Sequence, residues 1–84
     1  MNRESLIQRG FVEQPHKILT SFFVLNVGRH REIKIGSFRT PNETVFITQT
    51  DHVTKKEDLV CVHNFDYDGY LTTLKLDIII ALFA

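Results

Sequence analysis

The connections between the apolar segments of this 84-residue chain limit its fold more than the segments themselves do. "HKILTSFFVLNV", "REIKIGSFR", "ETVFITQT" and "DLVCVHNF" are rich in β-branched and aromatic residues, as strands are. Between them stand only "GRHR", "TPNE" and "DHVTKKED". A parallel pair needs a crossover of about a dozen residues or more, usually a helix. None of these linkers holds one. The expected sheet is a four-stranded antiparallel meander, with sequential strands side by side.

Local chemistry agrees with that order. Gly28 is free to take the positive φ of a turn, and Pro41 presets the backbone of the next one. Ile33 and Ile35 alternate with Glu32 and Lys34, and Gly36 interrupts the alternation before Phe38, as a bulge would. From His16 to Val27 both faces are apolar: Leu19, Phe23, Leu25 and Val27 on one, Ile18, Phe22 and Val24 on the other. Such a strand belongs inside the sheet or beneath cover on both sides. Leu59, Cys61, His63 and Phe65 alternate along the fourth strand, which suits a core thiol and a core-edge histidine better than a metal pair.

Helical signals flank the strands. Asn2 can cap a short helix that contains Leu6 and Ile7 and stops at Gly10. In "LTTLKLDIIIALFA", Thr73 to Ile78 alternate like a strand, yet Thr72 resembles an N-cap and Leu71, Leu74, Ile78 and Leu82 repeat at helical spacing. A sheet this apolar needs a lid, so the segment reads as a helix. A second apolar group, Leu76, Ile79, Ile80 and Phe83, widens its arc. A helix apolar over such an arc is buried on more than one side. A chain this short cannot supply both covers, which predicts a homo-oligomer with Leu76, Ile79, Ile80 and Phe83 at the interface. The expected fold is a single α+β domain over residues 1–84: a short N-terminal helix, a four-stranded antiparallel meander, and a C-terminal helix packed on the sheet.

Composition removes several functions. Ten basic residues balance ten acidic ones, so the cationic excess that grips a nucleic-acid backbone is missing and nucleic acid is disfavoured as a partner. Phe46 and the tyrosines suit a core better than a base-stacking platform. One cysteine forms no internal disulfide, which fits a reducing compartment. The charged N-terminus does not read as a secretory signal and "IIIALFA" is too short to cross a bilayer. A cytoplasmic protein with no membrane partner is expected. No nucleophile elbow, glycine-rich phosphate loop or catalytic Cys/His spacing is present, so an enzyme is not expected.

Alternate connections of a meander share an end of the sheet. That brings Arg29, His30 and Arg31 towards Lys55 and Lys56, a set that could hold an anionic group or partner. Asp51, Glu57 and Asp58 lie in the same loop and could neutralise it.

The other end collects "TPNE" and "HNFDYDGYLT". Residues 64–75 resemble a calcium loop of the EF-hand and dockerin type. Asn64, Asp66, Asp68, Gly69 and Tyr70 stand at the first, third, fifth, sixth and seventh positions of that pattern. The chain departs from it at the twelfth, where Lys75 replaces the bidentate glutamate. The resemblance implies calcium held by Asn64, Asp66, Asp68 and the Tyr70 carbonyl, and the meander brings Glu43 of the "TPNE" turn to the same end as a substitute carboxylate. The same residues also make a turn capped by Thr72, and that reading needs no cofactor.

Through "LIQRGF", "GRHREIKIG", "TPNETVFI" and "HNFDYDGYLT" the chain is similar to a group of short uncharacterised proteins of gut anaerobes and their phages and mobile elements. That resemblance implies a protein that binds a host factor or an anionic signalling nucleotide.

Overall fold

The computed structural model describes residues 2–18, 20–40, 43–51, 53–64 and 71–83, with the side chains of 60–64 excepted. A short helix α1 (Arg3–Gln8) leads into five strands: β1 (Val12–Gln14), β2 (Phe22–Val27), β3 (Arg31–Gly36), β4 (Thr44–Thr50) and β5 (Glu57–Asn64). A second helix, α2 (Thr73–Phe83), follows. The sheet order is β1-β2-β3-β4-β5, every neighbour antiparallel. The α+β meander between two helices is therefore present, with one short strand added at its edge.

That added strand was not visible in the sequence. Its three residues are exposed and hold one aliphatic side chain, so they carry no burial pattern. They pair with β2 because α1 turns the chain back. Asn2 Oδ1 accepts from Ser5 N–H (3.0 Å), opening the helix as expected of an N-cap. At the other end Phe11 N–H donates to Leu6 O (3.1 Å) and Gly10 N–H to Ile7 O (3.0 Å), the two bonds of a Schellman stop. Gly10 takes φ +96°, where a side chain is strained, and a Cβ there would stand 3.2 Å from Leu25 Cδ1.

The first long strand begins later than its β-rich sequence suggests. Ser21 is left-handed (φ 44°), so the strand starts at Phe22, and Ile18 is 84% exposed instead of packed on a face. Leu19 lies outside the described residues. The irregularity expected at Gly36 is also elsewhere. Gly36 ends β3, while the register between β4 and β5 slips at Ile47/Thr48. The slip pairs Leu59 with Thr48 and leaves Leu59 exposed.

One face of the sheet forms the core. Phe23, Val27, Ile33, Ile35, Val45 and Ile47 meet Leu6, Phe11, Phe38, Leu71 and Leu76, so both helices cover the same side. Here the expected role of α2 needs correction. Leu76 is fully buried in the chain's own core, and Ile79, Ile80 and Phe83 pack against it. Leu76 is therefore unavailable to an interface, while Ile79, Ile80 and Phe83 are half-buried against the core. The arc they span is wider than the Leu74–Ile78–Leu82 stripe and includes the only aromatic ring of the helix, so turning it inward removes more apolar surface from water. Leu74, Ile78 and Leu82 stay exposed at 70%, 51% and 71%.

Candidate functional site

At one end of the sheet, β2 and β3 are joined by Gly28–His30, and β4 and β5 by residues 51–56. Gly28 (φ 58°) and His30 (φ 60°) supply the left-handed residues of the first connection. Thr50 N–H donates to His30 O (2.7 Å) and ties the two loops together. The second loop is shaped by its own aspartate. Asp51 Oδ1 accepts from Val53 N–H (2.8 Å) and Thr54 N–H (3.0 Å), and Lys55 N–H returns to Asp51 O (2.8 Å). The bonds from Thr54 and Val53 hold the Asp51 carboxyl below the usual carboxylate range.

The basic residues expected at this end are thus brought to neighbouring loops. Arg29, His30, Lys55 and Lys56 are exposed, and Arg31 is half-buried at the start of β3. Among the described residues, none of Arg29, Arg31, Lys55 and Lys56 forms an ion pair. The carboxylates that could neutralise them are engaged. Glu57 is bonded by Lys34, whose hydrogen bond keeps its carboxyl low, and Asp51 is turned into its own loop. Four cations then face one remaining carboxylate of that loop and strand, Asp58.

The opposite end centres on Glu43. Its side chain is 1% exposed. Oε2 accepts from Arg39 N–H (2.6 Å) and Oε1 from Leu71 N–H (2.6 Å). Glu43 is therefore an internal brace between the turn before β4 and the entry to α2. Both oxygens are held inward, which corrects its expected place in a calcium cage. Asp66, Asp68 and Tyr70 lie outside the described residues, as does the Asn64 side chain. Among the described residues no group of three or more acidic, His or Cys side chains is placed to hold a metal ion. Thr72 acts as the expected cap, its Oγ1 accepting from Lys75 N–H (3.2 Å).

A third surface went unread in the sequence. On the face opposite the helices, register aligns Val12, Val24, Lys34 and Phe46 in one row across four strands. Phe22 stacks towards Phe46 (centroids 6.3 Å, planes 21° apart) and His16 tilts onto Phe22 at 4.8 Å. Lys34 Nζ lies 6.0 Å from the Phe46 ring and bonds Glu57, with Glu32 at 3.9 Å. Phe22 and Val24 are buried on this face. The apolar second face of "SFFVLNV" is the available signal: it implies a strand inside the sheet or covered on both faces, and β2 does lie between β1 and β3. Side-chain packing within the sheet face supplies part of that cover.

No helix among the described residues is long and apolar enough to cross a membrane. No family model, curated protein or solved structure matches the chain.

Proposed function

We propose that this protein is a non-enzymatic binding protein whose basic end receives an anionic group. The occupant is a nucleotide signal or an acidic patch on a host partner that the protein sequesters or blocks. The observation that carries this reading is the charge arrangement at the Gly28–His30 and 51–56 loops. Arg29, Arg31, Lys55 and Lys56 lack ion-pair partners among the described residues, while Glu57 is matched by Lys34. Arginine forks suit phosphate and carboxylate oxygens bidentately, and unmatched cations avoid the competition of an internal salt bridge. The host-factor role extends what the resemblance of "LIQRGF", "GRHREIKIG", "TPNETVFI" and "HNFDYDGYLT" to phage and mobile-element proteins implies. A cytoplasmic site of action accompanies that role.

The test is a thermal-shift and calorimetric panel of mono-, di- and cyclic nucleotides at low salt. At least one should raise the melting temperature, and replacing Arg29 and Arg31 together by Ala should abolish its binding. Arg29 is exposed and Arg31 half-buried, and neither forms an ion pair among the described residues. The free double variant should therefore melt close to the parent, since surface substitutions away from special contacts change stability by about 0.5 kcal/mol or less. Unaltered affinity in the double variant would remove this end from the function. A calcium-stabilised interaction module is the competing reading. It has lost the carboxylate that Glu43 was to supply.

A further inference from the structure

We infer that β5 is a self-pairing edge, along which a second copy of this chain adds its own β5 in antiparallel orientation and joins the two sheets. The sheet ends in β1 on one side and β5 on the other, and the two edges differ. β1 is only three residues long, and its Glu13 is tied to Arg3. A very short, charged strand is a blunted edge. β5 is eight residues long and carries no Lys, Arg or Pro. Its acidic residues, Glu57 and Asp58, are confined to its first two positions, and Leu59 after them is 61% exposed. A parallel pair would set those acidic starts side by side. An antiparallel pair places them at opposite ends.

The bonds of β4 fix which backbone groups of β5 face outward. Thr50 N–H donates to His30 O on the β3 side (2.7 Å), and Asp51 N–H donates to Lys56 O on the β5 side (2.7 Å). In an antiparallel ladder, successive residues turn their N–H and C=O groups to opposite sides. Gln49, Ile47 and Val45 therefore face β5, and their partners Asp58, Cys61 and His63 are bonded inward. Glu57, Leu59, Val62 and Asn64 turn their backbone groups outward. Among the described residues, no backbone group meets these four from outside.

The slip in β5 decides what can occupy this edge. Val60 is the extra residue, since Leu59 and Cys61 pair with the consecutive Thr48 and Ile47. Outward groups are thus two residues apart before the slip and after it, but three apart across it. A regular strand offers such groups every two residues and matches only one half of the edge. A second copy carries the same slip. Running antiparallel, it sets Glu57 opposite Asn64 and Leu59 opposite Val62, and by symmetry meets all four outward positions. The two-fold axis passes between the Val60 and Cys61 positions, which makes the contact isologous and closed. Residues paired across strands share a face, so the helices of both copies come to the same side of the joined sheet. The contact is one eight-residue strand from each copy, at the small end of stable interfaces, so a dissociation constant in the micromolar range is expected. It does not depend on what the basic end binds.

The experiment combines sedimentation, amide hydrogen exchange and cross-linking. The parent chain should pass from monomer to dimer over about 1–500 μM, a range that brackets micromolar dissociation constants. Exchange then reads the pairing residue by residue. The amides of Asp58, Cys61 and His63 should be protected across that range, because β4 holds them. Those of Glu57, Leu59, Val62 and Asn64 should gain protection only as the dimer forms. Leu59→Pro removes an N–H that β4 does not use, so it should weaken the dimer about tenfold or more while the dilute chain keeps its circular dichroism. Leu59→Lys keeps the backbone intact, places a charge on the edge and should weaken the dimer as well. In a Cys61→Ser background, Leu59→Cys should cross-link to Val62→Cys but not to itself, because the two 59 positions lie about 10 Å apart along the pair. A monomer at about 500 μM, a dimer whose four outward amides exchange as in the monomer, a dimer untouched by both Leu59 variants, or preferential 59–59 cross-links would each overturn the proposal.

Discussion

Glu43 accepts hydrogen bonds from two backbone N–H groups belonging to segments that no strand pairing connects. Removing a partner of a buried donor costs about 1–3 kcal/mol, more than the bond itself contributes. Glu43→Ala orphans both Arg39 N–H and Leu71 N–H. Glu43→Gln keeps one acceptor and turns an amide NH2 towards the other donor. We expect denaturant unfolding to rank the parent above Gln and Gln above Ala, each step by about 1–3 kcal/mol. Hydrogen exchange should speed up first at Arg39 and Leu71. An inward-facing carboxylate was not legible in "TPNE", where Glu43 reads as a turn carboxylate available to the calcium-type loop, because its donors are four and 28 positions away. Gly10 was legible, since a helix stop is a local event. Gly10→Ala should cost about 1–2 kcal/mol, the penalty of a left-handed residue with a Cβ.

Among the elements, the two helices share an electrostatic tie. Arg9 Nε and Nη2 donate to the two Asp77 oxygens (2.7 and 3.2 Å), while Arg9 Nη1 returns to Ser5 O (3.0 Å) and satisfies a carbonyl near the end of α1. The hydrogen bond from Arg9 holds the Asp77 carboxyl below its ordinary range, opposed by desolvation and aided further by the Arg9 charge. A carboxyl lowered in the folded state stabilises the fold fully above its unfolded pKa, about 3.9, and the contribution fades as pH falls through the lower folded value. Asp77→Asn should therefore flatten the stability profile below about pH 4 and leave its shape near neutrality unchanged. Carboxyl NMR titration should show Asp77 ionising below pH 3.9, the free-aspartate value. The four long strands and both caps were readable because alternation, turn residues and N-caps act within a few residues. The edge strand, the β4–β5 slip and the choice of inward face for α2 were not. Each is decided by a partner distant in sequence, and two adjacent apolar stripes on one helix look alike until the sheet is present.

At the scale of the whole molecule, both helices cover one face of the sheet, and the loops divide between a basic end and an end braced from inside. The meander expected from the short connections predicts this division, since alternate turns share an end. It does not predict which acids are already engaged. That distinction bears on calcium. A hard divalent ion needs six to eight oxygens, and the EF-hand pattern draws two of them from its twelfth residue. Here that residue is Lys75, and the substitute carboxylate of Glu43 faces inward onto two N–H groups. The expected outcome is that millimolar calcium and EDTA give the same melting temperature. The measurement is sensitive. A ligand specific to the folded state, at a hundredfold excess over its dissociation constant, stabilises it by about 2.7 kcal/mol. In a domain of 60–100 residues each kcal/mol moves the midpoint by about 4–8 °C. A rise of that size with calcium would mean that residues 64–72 assemble a cage without Glu43, and Asp68→Ala would then abolish the rise. With no rise, Asp68→Ala should shift the midpoint by the same amount in calcium as in EDTA. The two cases differ in whether calcium changes the effect of that one substitution.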